Sequence, residues 1–185
     1  MANIISTKVI TGKVRLSYCR VFTPEVSEDG RTKYSTVILV PKSDTKTIDA
    51  IANAIDAAKR QGASERWGGK VPARLHEPLR DGDGERPTDA AYKDCYFLNC
   101  VCYTKPGIID KERRPIIDSA ELYSGCYALA SISFYPFDKA GNRGISCGLN
   151  NLMKVADGEM LGGRAEAVDD FAGVDFNDDD DDDLL

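Results

Sequence analysis

Period-two alternation constrains this chain more than any other feature. In Lys13-Val-Arg-Leu-Ser-Tyr-Cys-Arg-Val-Phe22, residues Lys13, Arg15, Ser17 and Cys19 fall on one side, and Val14, Leu16, Tyr18 and Phe22 on the other. Only an extended backbone separates residues in that way, so the segment is a half-buried strand with a basic, polar face. Ser27-Glu-Asp-Gly30 supplies turn residues, and Tyr34-Ser-Thr-Val-Ile-Leu-Val40 returns as a second strand that Pro41 ends. The chain therefore opens with a β-hairpin.

The period then changes. Ile48, Ile51, Ala52 and Ile55 recur at helical spacing and predict a helix over about residues 44–61, with Ser43 or Asp44 as cap and Gly62 as exit. Its apolar stripe is expected to pack on the sheet. From Gly62 to Lys93 glycines, prolines and charges break every period, which predicts a long irregular segment of the kind that carries function. Strands resume at Cys95–Thr104, then at Tyr127–Tyr135 and Gly144–Leu149 around a turn at residues 138–143. A short segment at Ile116–Asp118 lies between them, and Asn150–Val155 is read as leading out of the body. Phe97, Phe134 and Tyr18 are assigned to the core. Five strands with one principal helix give a mainly β fold, a five-stranded OB-fold-like barrel with long loops over residues 1–160.

Charge divides the chain in two. Of 24 basic and 30 acidic groups, nine acidic ones and no basic one lie from Asp169 onward, so residues 1–168 carry a net charge of +3. The end is a run of Asp178, Asp179, Asp180, Asp181, Asp182 and Asp183, closed by Leu184 and Leu185. Such a block stays solvated, so residues 161–185 are read as a disordered acidic tail that competes for a basic groove or recruits a partner. No apolar run approaches the roughly 20 residues that span a bilayer, and the start has no signal-peptide pattern, which points to the cytoplasm and away from membranes. Six cysteines without a Cys-x-x-Cys pair, and a single histidine, His76, fit reduced, buried thiols. No metal or other cofactor is called for.

Binding single-stranded nucleic acid without sequence choice needs cations along a groove and aromatic faces for bases. Lys13, Arg15, Lys33, Lys105, Arg113, Arg114 and Arg143 are the candidate cations, and Tyr34, Trp67, Tyr103 and Tyr127 the candidate stacking platforms. Trp67 stands in a Gly-flanked, charged loop where no periodicity buries it. Two carboxylate groups, Asp118 with Glu121 and Asp81 with Asp83 and Glu85, keep open a metal-dependent nuclease or recombination enzyme, although neither has a full ligand set at a recognised spacing. A DNA-mimicking interaction protein is the other alternative, and the +3 body argues against it.

Three stretches carry a resemblance: Leu122-Tyr-Ser-Gly-Cys-Tyr-Ala-Leu-Ala-Ser-Ile-Ser-Phe-Tyr135, Lys139-Ala-Gly-Asn-Arg-Gly144 and Gly148-Leu-Asn-Asn-Leu-Met-Lys-Val155. With Gly162-Gly-Arg164 and Asp169-Asp-Phe171, the chain resembles tailed-phage and prophage single-stranded-DNA-binding proteins over nearly its whole length. The resemblance implies an OB-fold that coats single-stranded DNA in replication, recombination or repair, and a tail that meets phage or host replication proteins. The terminal Leu184-Leu185 departs from the aromatic tip of bacterial single-strand-binding tails, which leaves the tail's partner open. Homo-oligomerisation is also left open.

Overall fold

The computed structural model describes residues 6–162; the acidic tail lies outside them. Eight strands form, β1 (Lys8–Ile10), β2 (Val14–Val26), β3 (Thr32–Pro41), β4 (Arg80–Asp81), β5 (Cys95–Cys102), β6 (Gly107–Ile109), β7 (Tyr127–Lys139) and β8 (Asn142–Ala156), with helices α1 (Thr45–Glu65) and α2 (Gly82–Glu85). Five of the strands close a ring. β2 pairs antiparallel with β3, β3 with β5, β7 with β8 and β2 with β7, and a parallel pairing of β5 with β8 completes the circuit. This is the five-stranded barrel expected from the alternation. β1, β4 and β6 are short additions to β7, β5 and β8, too brief to leave a period in the sequence.

Alternation fills the barrel. Ile38 and Val40 of β3, Leu98 and Cys100 of β5, Ala128, Ala130, Ile132 and Phe134 of β7, and Ile145, Cys147 and Leu149 of β8 join one buried cluster. α1 packs chiefly on β7 through Ile51, Ala54, Ile55 and Ala58; of the stripe read from the spacing, Ile51 and Ile55 are buried, Ile48 is half-buried and Ala52 is exposed. Asp44 caps it by accepting from the Thr47 amide at 3.2 Å, and the Thr47 hydroxyl donates back to Asp44 at 2.6 Å. The helix runs past Gly62. A Cβ there would stand 2.6 Å from the Trp67 ring and 2.7 Å from Pro136, so this glycine serves close packing and is not the exit.

Four further expectations are corrected. Asn150–Val155 does not lead out, because β8 continues through it and carries β6 on its other edge. The irregular segment after α1 contains β4, α2 and a 3-10 turn at Ala90–Tyr92. Ordered contacts continue to Leu161, whose amide donates to the Ser124 carbonyl at 2.8 Å.

Tyr18 is the fourth. β2 carries an extra residue between the pairs Ser17↔Val37 and Arg20↔Ser35, and Tyr18 takes a left-handed φ of 45°. The bulge turns Tyr18 outward, 52% exposed, and sends Cys19 and Val21 inward.

Candidate nucleic-acid interface

The outer faces of β3 and β5 divide into a covered and an open half. Near the N-terminal end of β5, Val37, Leu39 and Phe97 point outward but lie beneath Tyr92, forming a second small core with Leu161 against it. Tyr92 meets Phe97 edge-on at 5.2 Å between ring centres. Its hydroxyl faces the Ser17 hydroxyl at 3.4 Å, and burial pushes its ionisation upward. The segment from Arg80 to Tyr92 is thus a bar fixed across the barrel.

Below that bar the face is open. A cleft of about 230 Å³ is lined by Lys33 of β3, Asn99 and Val101 of β5, Tyr103 just beyond β5, Tyr135 of β7, Ser146 of β8, and His76 and Arg80 from the irregular segment. Tyr103 and Tyr135 are 44% and 43% exposed, and each presents an aromatic surface to solvent. The Arg31 guanidinium stacks on Tyr103, 3.9 Å from the ring centre. Arg80 lies 5.3 Å from the Phe97 ring and pairs with Glu85 at 2.8 Å. Lys33 enters no ion pair among the described residues. Burial raises the Tyr135 pKa above its ordinary value, so its hydroxyl stays protonated at neutral pH. Cations around two half-exposed rings, floored by small polar residues, suit a strand of alternating phosphates and flat bases.

Backbone closures set the cleft's shape. The His76 amide donates to the Arg143 carbonyl at 2.9 Å and the Ile145 amide to the His76 carbonyl at 3.0 Å, which pins the irregular segment to the β7–β8 hairpin. Gly144 permits that approach, since a Cβ there would meet the His76 backbone at 2.6 Å.

The structure scatters the other candidates. Lys13 and Arg15 sit by the Tyr127 ring, at 4.6 and 5.7 Å from its centre. Arg15 pairs with Leu39, and Lys33 with Glu25, so the two basic groups are about 20 Å apart along β3. Arg15 is also committed elsewhere: it donates to the carbonyls of Gly125 at 3.1 Å and Glu159 at 2.7 Å, holding the C-terminal segment down. Tyr34 pairs with Cys102 on the inward parity of its strand and faces the barrel end. Lys105 lies over Phe22 at 5.6 Å. Arg113 and Arg114 close the turn on Asp110, away from the cleft-lining residues. Arg143 pairs with Asp138 at 3.0 Å in the hairpin that borders the cleft. Of the residues named from the sequence, the cleft gathers Lys33 and Tyr103.

Trp67 is a correction. It is 7% exposed, its ring fills the space beside Gly62 and Pro136, and its Nε1 donates to the Phe137 carbonyl at 3.3 Å. No base can stack on it. The acidic cluster is also reassigned: Asp81 and Asp83 both hold the Lys42 ammonium, at 2.8 and 2.7 Å, which lowers both carboxyl pKa values. They tie the end of β3 to the bar as an ion-paired clamp.

Arg31 at the hairpin return and Tyr135 belong to the basic and aromatic positions that the sequence displays, but neither is among its candidate site residues, and Arg80 is in neither group. Tyr135 shares the outward parity of Ser131 and Ser133, a visible signal, but parity does not say what lies opposite. Arg80 stands in a segment with no period at all.

Comparison with known proteins gives the family and the fold. The model of the family described as Enterobacter phage Enc34, ssDNA-binding protein, matches residues 7–185. The chain belongs to the Enc34 ssDNA-binding protein family. Protein p50 of Acyrthosiphon pisum secondary endosymbiont phage 1 is 30% identical over 176 residues, covering 89% of this chain and 92% of that one. The barrel also superposes on the single-stranded DNA-binding protein from bacteriophage Enc34 in complex with ssDNA, with a TM-score of 0.74 at 24% identity over 84% of this chain and 90% of the other. Bacteriophage T7 gp2.5, a single-stranded DNA binding protein, shares the fold with a TM-score of 0.63 at 17% identity, over 92% of this chain and 96% of its own.

Proposed function

We propose that this Enc34-family chain coats single-stranded DNA without strong sequence preference during phage replication, recombination or repair, in the host cytoplasm. The observation that carries the reading is the open cleft on the β3–β5 face, where Tyr103 and Tyr135 stand half exposed among Arg31, Lys33 and Arg80. Strands two and three of an OB barrel are the surface such folds use for oligonucleotides, and β3 and β5 hold those positions in this ring. Family membership and the solved complex of a relative with ssDNA support the same ligand. Among the described residues no helix is long and apolar enough to cross a membrane.

Bases stack on the two tyrosines, and the three cations take phosphates. Sequence tolerance follows, since every base offers a flat face. The acidic tail, including Asp178–Asp183 and the Leu184-Leu185 tip, competes for this groove or recruits replication partners. Fluorescence anisotropy with labelled oligo-dT tests the core of the proposal. Tyr103→Leu and Tyr135→Leu are each expected to cost roughly 1–3 kcal/mol of affinity. Lys33→Met lowers the slope of log affinity against log salt by about 0.7 if Lys33 neutralises one phosphate. Unchanged affinity in the double tyrosine variant would place the DNA elsewhere.

A further inference from the structure

Beyond the bar, β2 carries an aromatic that neither the core nor the cleft uses. Tyr18 sits on the bulge with a left-handed φ of 45°, a conformation bulky residues rarely adopt, and it is 52% exposed. Arg86 donates to its hydroxyl at 3.2 Å, with the guanidinium carbon 5.5 Å from the ring centre. That places the cation toward the oxygen end of the ring, so it does not cover the ring as Arg31 covers Tyr103. Beside Tyr18 opens a second cleft of about 450 Å³, lined by Arg20, Asp89, Ser124 and Leu161 among others.

The two clefts share both walls. On the barrel side, Lys33 lines the first, and two residues along β3 Ser35 pairs with Arg20, which lines the second. On the other side the same bar supplies Arg80 to the first cleft, and Asp89 to the second, with Arg86 fixed on Tyr18. A strand leaving Tyr103 past Lys33 therefore meets Arg20, then Tyr18.

We infer that the cleft beside Tyr18 is a second base-stacking station on the same single-stranded DNA, reached only by strands longer than the β3–β5 face. Tyr18 offers its ring to a base and Arg86 beside it takes a flanking phosphate; Arg20 takes the other by exchanging its ion pair with Glu25, and the Asp89 carboxylate lining the cleft disfavours a phosphate within it. The inference rests on the proposed binding of single-stranded DNA at the first cleft.

The test compares oligo-dT of about 5 and about 12 nucleotides, lengths within the range of one OB fold, on the full chain and on Tyr18→Leu, Arg86→Ser and Tyr103→Leu. The wild-type gain in affinity on lengthening is expected to shrink about tenfold in Tyr18→Leu, as for one lost stacked base. Arg86→Ser should shrink the gain less, while Tyr103→Leu weakens both lengths. A second readout is photo-crosslinking with 5-iodouracil placed at the distal end of the longer oligonucleotide, with the adduct expected at Tyr18. A full length-dependent gain in Tyr18→Leu, or an equal loss at both lengths, overturns the second station. Failure of the wild-type chain to bind either oligonucleotide would overturn the first reading instead.

Discussion

At the scale of single residues, the strongest contrast is between Trp67 and the tyrosines. The Trp67 indole closes the end of α1 and bonds the Phe137 carbonyl, so it reports on the fold and not on the ligand. It is the sole tryptophan, which makes the point measurable. Its emission should change little when single-stranded DNA binds and shift strongly to the red on unfolding. Strong quenching by oligo-dT without unfolding would contradict its burial. Trp67→Ala should cost about 3–5 kcal/mol of stability, read from urea denaturation. The buried and half-buried thiols form a quieter set. Cys19, whose pKa burial raises to about 11, and Cys100, 3.4 Å from Cys147 inside the barrel, are held as neutral thiols. Slow alkylation of the buried Cys100, Cys126 and Cys147 in the native chain, and fast alkylation in denaturant, is the expected pattern.

At the scale of elements, the bar that roofs half of the β3–β5 face depends on a few polar closures. Lys42, just after β3, bridges Asp81 and Asp83, and Asp83 also accepts from the Asp94 amide at 3.0 Å. Both carboxyl pKa values are lowered, first by the hydrogen bond to Lys42. A depressed folded-state pKa means a contribution that is present above the unfolded carboxyl value, about 4, and lost as pH falls through the folded value. Wild-type stability should therefore decline at the acid end, and Lys42→Met should flatten that decline in urea midpoints measured from pH 6 to pH 2. An acid limb identical in both proteins would remove the clamp from the account. Gly62 makes the opposite case. Alanine favours a helix by up to about 1 kcal/mol, but overpacking against Trp67 and Pro136 costs about 1–3 kcal/mol, so Gly62→Ala is expected to destabilise.

At the scale of the whole molecule, a body of net charge +3 carries nine acidic groups at its end. Residues 169–185 can reach roughly 60 Å, enough to cover a groove on their own barrel. Under the proposed competition, tail and DNA contend for one groove, and covalent attachment would put the tail at an effective concentration on the order of millimolar. Deleting Asp169–Leu185 is expected to tighten single-strand affinity and relax discrimination against duplex, most visibly at low salt; equal affinities across a salt titration would sink the competition. The sequence by itself determined the strands of the barrel, the inward face of α1 and the segregation of charge, because each is written as a local period or a local composition. Only the tertiary structure decided which of these faces meet. The ring closes by pairings between segments far apart in sequence, a single extra residue in β2 turns Tyr18 from core to surface, and an aperiodic loop docks to bury Trp67 while bringing Arg80 to the cleft. Local periodicity carries no term for contacts across such distances, so the barrel could be read from the chain, and its groove had to be assembled by the fold.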